Sequence, residues 1–246
     1  MSISVAMICR DEESNVDACL ETVRWADELV LVDGRSTDQT LVKARRYTPH
    51  IYEVPFRDFA AQKNEALERT HGDWVFFIDA DERVPDDLAG EIQSVCRSES
   101  PQAAYAVNRL NYFFGKPLRF SGSQDDFPIR LFPRGKARFE QPVHEHAVTD
   151  LPVRRLKHRL LHYSTRNFSH YRSKLDRYVS LELETMHQQQ RRARAWDILL
   201  RPPVRFLSLY FGKRGFLDGL AGLEFAFLSS YYTFLKHWKF YRLNHP

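Results

Sequence analysis

Residues 76–84 read FFIDADERV, an apolar run that ends in two carboxylates one residue apart. The run starts earlier, as DWVFFID from Asp73, with His71-Gly72 before it and Pro85 beyond its end. Its aromatic and β-branched content between turn residues predicts a buried strand. Asp79 and Asp81 then stand at the carboxyl end of that strand, the end that faces the ligand crevice in open α/β sheets. Alternate spacing lets the two carboxylates point the same way, so they can share a hard divalent cation whose other ligands come from a diphosphate. Taken alone, the triplet reads more readily as turn acids, or as caps for a helix starting near Pro85.

The flanking sequence shifts that balance. Residues 3–8, ISVAMI, form a first apolar run, and in the RDEESNVDACLETV that follows, Val16, Leu20 and Val23 recur at helical spacing. Residues 28–32 predict a second strand, with Asp33-Gly34 as its turn and Thr37 or Asp38 as a helix cap. A third unit has HIYEV followed by the helical DFAAQKNEALERT, and the fourth strand carries the acid pair. Strand alternating with helix at this spacing predicts a parallel, right-handed βαβ sheet.

The strings ISVAMICRDEESNV (3–16), WADELVLVDGRSTDQT (25–40), QKNEAL (62–67) and GDWVFFIDADERV (72–84) resemble the nucleotide-sugar half of an inverting family 2 glycosyltransferase. WADE at Trp25–Glu28 and FLDG at Phe216–Gly219 narrow the resemblance toward bacterial lipopolysaccharide core enzymes that act on an inner-core heptose. It implies a GT-A fold, Rossmann-like, with a mostly parallel sheet flanked by helices and a basic helical C-terminal extension. The expected division is a catalytic domain over residues 1–165, its nucleotide-sugar half about 1–100 and its acceptor half about 101–165, and a helical region over 166–246.

Composition fits one globular α/β enzyme with an appended region: 246 residues, 43% hydrophobic and 28% charged. The charge is unevenly placed. Residues 1–150 carry 18 Lys and Arg against 26 Asp and Glu, whereas residues 151–246 carry 18 against 6. A basic C-terminal region on an acidic front half suggests a polyanionic partner, either an anionic membrane surface or a nucleic acid. Recognisable nucleic-acid modules are missing and the acidic half would repel phosphate backbones, so no nucleic acid is expected. Cys9, Cys19 and Cys96 form no ligand or disulfide pattern, which argues for a reducing compartment, with Cys9 and Cys19 as packing residues. Met1 leads straight into the first strand without a basic n-region, so the chain is expected in the cytoplasm.

Residues 191–214 interleave Arg and Lys with Trp, Leu, Phe and Tyr, and residues 223–242 add LEFAFLSSYYTFLKHWKFYR. The longest uncharged stretch there, Phe225 to Leu235, is well short of the roughly 20 residues a spanning helix needs. Helices flanked by Pro202-Pro203 and Gly215 suit an interfacial segment on anionic lipid at the cytoplasmic face of the inner membrane, with Arg191, Arg192, Arg194, Arg201, Arg205, Lys213 and Arg214 reaching headgroups. They suit equally a set of aromatics packed back onto the protein.

The resemblance also implies roles for single residues. Asp33, ending the second strand, is expected on the nucleoside base, where a carboxylate accepts the uracil imide N–H; its plain alternative is a turn residue. Asp79 is expected on the ribose or the metal and Asp81 on the metal, Mg2+ or Mn2+. Lys63-Asn64 replaces the Arg-Asn of many relatives, so Lys63 either neutralises phosphate or is a solvated helix lysine. Arg10 lines the nucleotide pocket or lies on the surface. His162 in RLLHYS is an extra metal or phosphate ligand, or a structural histidine. Inversion needs a base for the acceptor hydroxyl. Glu145 in VHEHAV, which alternation sets on the face opposite His144 and His146, is favoured over Asp126. The expected reaction moves a hexose, glucose from a UDP donor, to a saccharide on lipopolysaccharide or another glycolipid. A nucleotidyltransferase of related fold would want a Gly-rich loop where RDEESN stands. A non-enzymatic membrane- or RNA-binding adaptor would not need the intact acids.

Overall fold

The computed structural model describes residues 1–98, 102–141, 145–165, 168–189 and 194–245. Its front alternates strand and helix as expected: β1 (Ile3–Cys9), α1 (Val16–Glu21), β2 (Glu28–Asp33), α2 (Thr40–Ala44), β3 (Ile51–Glu53), α3 (Phe59–Glu68) and β4 (Trp74–Asp79). These four strands are parallel in the order β3-β2-β1-β4. The chain leaves β1 on one side for β2 and β3 and returns on its other side as β4, so the topological switch point lies between β1 and β4. The registers set Cys9 against Asp33 and Ile8 against Asp79, which places both acids beside the carboxyl end of β1.

Burial on both faces explains why the β4 run is uninterruptedly apolar. Trp74, Phe76 and Ile78 pack with Val16, Leu20 and Val23 on one side, while Val75 and Phe77 pack with Ala60 and Ala66 of α3 on the other. Asp58 caps α3 by accepting the Ala61 N–H at 2.8 Å. At α2 the cap position belongs to Gln39, and Asp38 accepts the Thr40 N–H from just outside it at 2.9 Å. All three cysteines are free and buried, and burial pushes their thiols up, Cys96 to about 12.

Beyond β4 the strands turn antiparallel: β5 (Glu82–Arg83), then after α4 (Asp86–Ser98) β6 (Ala104–Phe113), β7 (Lys116–Leu118), β8 (Ile129–Pro133), β9 (Arg138–Glu140), β10 (His146–Val148) and β11 (Val153–Thr165). The main sheet runs β3-β2-β1-β4-β8-β6-β11-β5, with β7 paired to β6. It is mixed: the first four strands are parallel, whereas β8 pairs antiparallel with β4 and β6, β7 with β6, and β5 with β11.

Two compact units result, Met1–Arg109 with Asp126–His162, and Leu110–Asp125 with Tyr163–Pro246. Residues 110–125, expected with the front of the chain, therefore group with the C-terminal helices. Asp218 of the FLDG string holds them there, accepting the Arg119 N–H at 2.9 Å, the Phe120 N–H at 3.1 Å and the Ser121 hydroxyl at 2.9 Å. WADE is likewise scaffolding: Asp27 accepts the Ile3 N–H at 2.8 Å, and Glu28 binds the Ser4 hydroxyl and the His71 N–H. Both markers of the resemblance secure backbone rather than build a pocket.

The second unit contains α5 (Phe168–Gln188), α6 (Ala195–Leu207) and α7 (Leu220–Asn244). Pro202-Pro203, expected to flank helices, lies inside α6, and a π-type turn, Ser208–Gly212, follows directly. Two proline rings deprive that ladder of two donors. A Cβ on Gly222 would stand 1.9 Å from the Gly215 carbonyl oxygen, so the start of α7 packs backbone to backbone on the preceding turn. No helix among the described residues is long and apolar enough to cross a membrane.

Candidate functional site

The carboxyl ends of β1, β2 and β4 gather the first group of expected residues. Asp33 is fully buried. It accepts the Ser36 N–H at 2.7 Å, the Ser36 hydroxyl at 2.5 Å and the Cys9 thiol at 3.3 Å. The carboxylate thus organises the Gly34–Ser36 turn. Arg10 stands next to this turn, its side chain half exposed and its Nε 3.8 Å from Asp11. A Cβ on Gly34 would lie 3.3 Å from Arg10 Cβ, so the two residues already touch.

Asp79 ends β4 with both oxygens engaged. Oδ1 faces Lys63 Nζ at 3.0 Å and Oδ2 faces Arg130 Nη2 at 2.6 Å, while its own N–H donates to Glu82 at 2.9 Å. Lys63 is not a solvated helix lysine: it is 4% exposed, set over the rings of Phe77 and Phe139 at 4.8 and 5.2 Å, and paired with Glu145 Oε1 at 2.9 Å. From Arg130 the charges continue to Glu82 at 2.6 Å, from Glu82 to Arg109 at 3.5 Å, and from Arg109 to Asp126, which it grips with two bonds of 2.8 and 3.0 Å. One alternating chain therefore runs Glu145, Lys63, Asp79, Arg130, Glu82, Arg109, Asp126. The two candidate bases are its two ends.

Burial by itself would raise the Asp79 pKa, but Arg130 and then Lys63 outweigh it and hold the carboxyl far below the usual carboxylate range. A folded-state pKa below the unfolded one contributes stability in full above the unfolded value of about 3.9, and that contribution is lost as pH falls through the folded value. We expect Asp79→Asn to flatten the decline in unfolding free energy below about pH 4, measured by urea denaturation at stepped pH. Parallel curves for variant and wild type would remove this account.

Asp81 is not in the strand. It occupies the turn between β4 and β5, and its carboxylate lies 3.4 Å from His162 Nε2, brought there because β11 pairs with β5. Asp79 is paired with Lys63 and Arg130 and Asp81 with His162, so a cation shared by the two carboxylates would have to draw Asp79 away from its two partners. Among the described residues no group of three or more His, Cys, Asp and Glu could cage a metal. The Asp81 oxygen and the His162 nitrogen do fit as adjacent ligands. Two neighbouring positions on an octahedron with bonds of about 2.1 Å are roughly 3 Å apart, and Mg2+ commonly takes one or two protein ligands with phosphate oxygens completing its shell.

Asn64, placed with Lys63 in the expected nucleotide-sugar site, uses both ends of its amide on the Phe139 backbone, at 2.9 and 2.8 Å. It fastens α3 to β9. The strand expected around VHEHAV is seen only as His146–Val148; His144 lies outside the described residues and Glu145 precedes the strand. Sequence reasoning missed Glu82, Arg109 and Arg130. A signal for Arg130 existed: an arginine in the middle of the apolar IRLF strand requires a buried acid opposite it.

Residues 4–159 match the family described as Glycosyl transferase family 2. The chain is 29% identical over 253 residues to the lipopolysaccharide core biosynthesis glycosyltransferase LpsC of Rhizobium meliloti (strain 1021), covering 96% of this chain and 93% of that one. It is 25% identical over 247 residues to the glycosyltransferase RT0209 of Rickettsia typhi, covering 95% and 85%. Among solved structures, glucosyl-3-phosphoglycerate synthase of Mycobacterium tuberculosis, in complex with Mn2+ and uridine-diphosphate-glucose, aligns at 23% identity with a TM-score of 0.38. That match spans 45% of this chain and 44% of the other, under half of each.

Proposed function

The chain belongs to glycosyl transferase family 2 and has its GT-A fold, and from that premise we propose that it moves a hexose, glucose from a UDP donor, onto a saccharide of the lipopolysaccharide core with inversion. The observation that carries this reading is the charge chain at the carboxyl ends of the parallel strands, with Lys63 between Asp79 and Glu145. The likeness to LpsC over nearly the whole chain supports the class of acceptor. Because such an acceptor is anchored in a bilayer, the enzyme works at a membrane surface, on the cytoplasmic face.

Inversion is a single displacement. The acceptor oxygen bonds to the anomeric carbon as the bond to the diphosphate oxygen breaks, the acceptor proton passes to Glu145, and the electron pair leaves with the nucleoside diphosphate. Glu145 suits the base role better than Asp126, whose oxygens are both committed to Arg109. The diphosphate offers Lys63 a new anionic partner, and an exchange of Glu145 for phosphate would release the carboxylate for proton transfer. Asp81 and His162 would hold a divalent cation, Mg2+ or Mn2+, which would supply positive charge where the departing diphosphate gains negative charge. Asp33, Arg10 and the Gly34 turn frame the nucleoside, and Asp79, oriented by Arg130, faces its ribose.

The test is a donor panel: purified protein with metal, a set of nucleotide sugars and a core saccharide, scored by release of nucleoside diphosphate. UDP-glucose should be the preferred donor. Asp81→Ala, with unchanged circular dichroism, and excess EDTA on the wild type should each lower turnover by about 10³-fold or more. Full activity in EDTA would remove the metal, preference for another nucleotide would change the donor, and release from none would overturn the transferase reading.

A further inference from the structure

Helix α6 carries its apolar residues on one stripe, Trp196, Leu199, Leu200, Val204 and Leu207, continued by Phe211 in the π-type turn. The spacing of three and four is that of an amphipathic helix, and such a stripe ordinarily packs into its own protein. Here it does not. These six side chains are 52–70% exposed, and no residue of α6 is buried. Helix α7, packed alongside α6, repeats the pattern: Leu220, Phe227 and Trp238 are 69%, 63% and 38% exposed. Exposed apolar residues gathered on one helix face mark an interface.

The surrounding charge says what covers it. Arg194, Arg201, Arg205 and Arg214 are exposed along the same segment, against Asp197, already paired with Arg201 at 2.6 Å, and the exposed Glu224. Residues 151–246 have a net charge of +12. A second copy docking on this face would bring two such basic regions together, whereas an anionic headgroup layer is complementary to them. Trp side chains at the margin of an apolar stripe suit the boundary between headgroups and acyl chains.

We propose that α6 and α7 form an interfacial hairpin that lies in the plane of an anionic bilayer, with the Trp196–Phe211 stripe among the acyl chains and the arginines at the headgroups. This deepens the membrane part of the functional reading but depends only on the surface of the second unit. Arg191 and Arg192, expected to contribute, lie outside the described residues.

The test uses the full chain, without nucleotide, and vesicles of phosphatidylethanolamine with phosphatidylglycerol or of phosphatidylcholine alone. The wild type should sediment with the anionic vesicles, less so in high salt, with a blue shift of tryptophan emission. Each basic residue near an anionic surface contributes about five-fold, so Arg194→Glu with Arg201→Glu and Arg205→Glu should weaken partitioning by about 100-fold. Trp196→Ser with Leu200→Ser and Phe211→Ser should lose both sedimentation and blue shift while keeping the charge; all six sites are exposed, so the fold is retained. Undiminished binding of either triple variant, or no binding of the wild type at low salt, overturns the proposal. So does a dimer, seen by sedimentation velocity, that the serine variant dissociates and vesicles do not. Vesicle binding without nucleoside diphosphate release would fail the functional reading alone, and release without vesicle binding would fail the hairpin alone.

Discussion

Glu145→Gln lowers turnover by about 10²- to 10⁴-fold and leaves donor affinity nearly unchanged. The amide keeps the shape of the side chain but cannot accept the acceptor hydroxyl's proton, so the loss falls on the chemical step. Lys63 keeps Asp79 as its partner at 3.0 Å, and the buried ammonium is therefore not stranded by the change. The measurements are steady-state kcat for transfer and titration of the nucleoside diphosphate. Asp126→Asn, by contrast, loses an end of the charge chain held by Arg109 and should act on stability more than on turnover. If Asp126→Asn shows the kinetic loss with normal unfolding and Glu145→Gln does not, the two ends of the chain exchange roles.

Arg130→Met destabilises the fold by about 3–5 kcal/mol. Arg130 is 3% exposed and bridges Asp79 and Glu82, each at 2.6 Å. Burial works against its charge, yet the two carboxylates raise its pKa above the ordinary arginine value. Without it, fully buried Glu82 keeps, among the described cations, only Arg109 at 3.5 Å, and a buried charge short of a partner is costly. Arg130→Lys should recover only part, because one ammonium cannot reproduce the guanidinium fork. Adding Glu82→Gln to Arg130→Met should cost less than the sum of the single changes, by up to about 3 kcal/mol, since the stranded charge is removed with its partner. Urea unfolding followed by circular dichroism gives these values. A midpoint for Arg130→Met equal to wild type would show that the bridge stabilises nothing.

Much of the front half was legible because its signals are local. The β4 run, the helical spacing of Val16, Leu20 and Val23, and the helical DFAAQKNEALERT segment each lie within one element, where periodicity acts over a few residues. The acid at the end of β4 follows from the same pattern. The partners of that acid do not: Arg130 is 51 residues from Asp79 and 48 from Glu82, joined to them only by the antiparallel pairing of β8 with β4. Alternation suggested that Asp79 and Asp81 face one way; the strand ends at Asp79, and the turn into β5 sends Asp81 to His162 instead.

By itself the sequence determined the order of the βα units, the placing of Asp33 and Asp79 at strand ends, the resemblance that implied the fold, and the basic, aromatic-rich character of the C-terminal helices. Only the tertiary structure decided which charges meet, that Asn64, Asp27, Glu28 and Asp218 secure backbone, and that the apolar stripe of α6 faces outward. The reason is physical: a repeat of three and four residues fixes which side chains share a face of a helix, but what covers that face is set by elements far away in the chain.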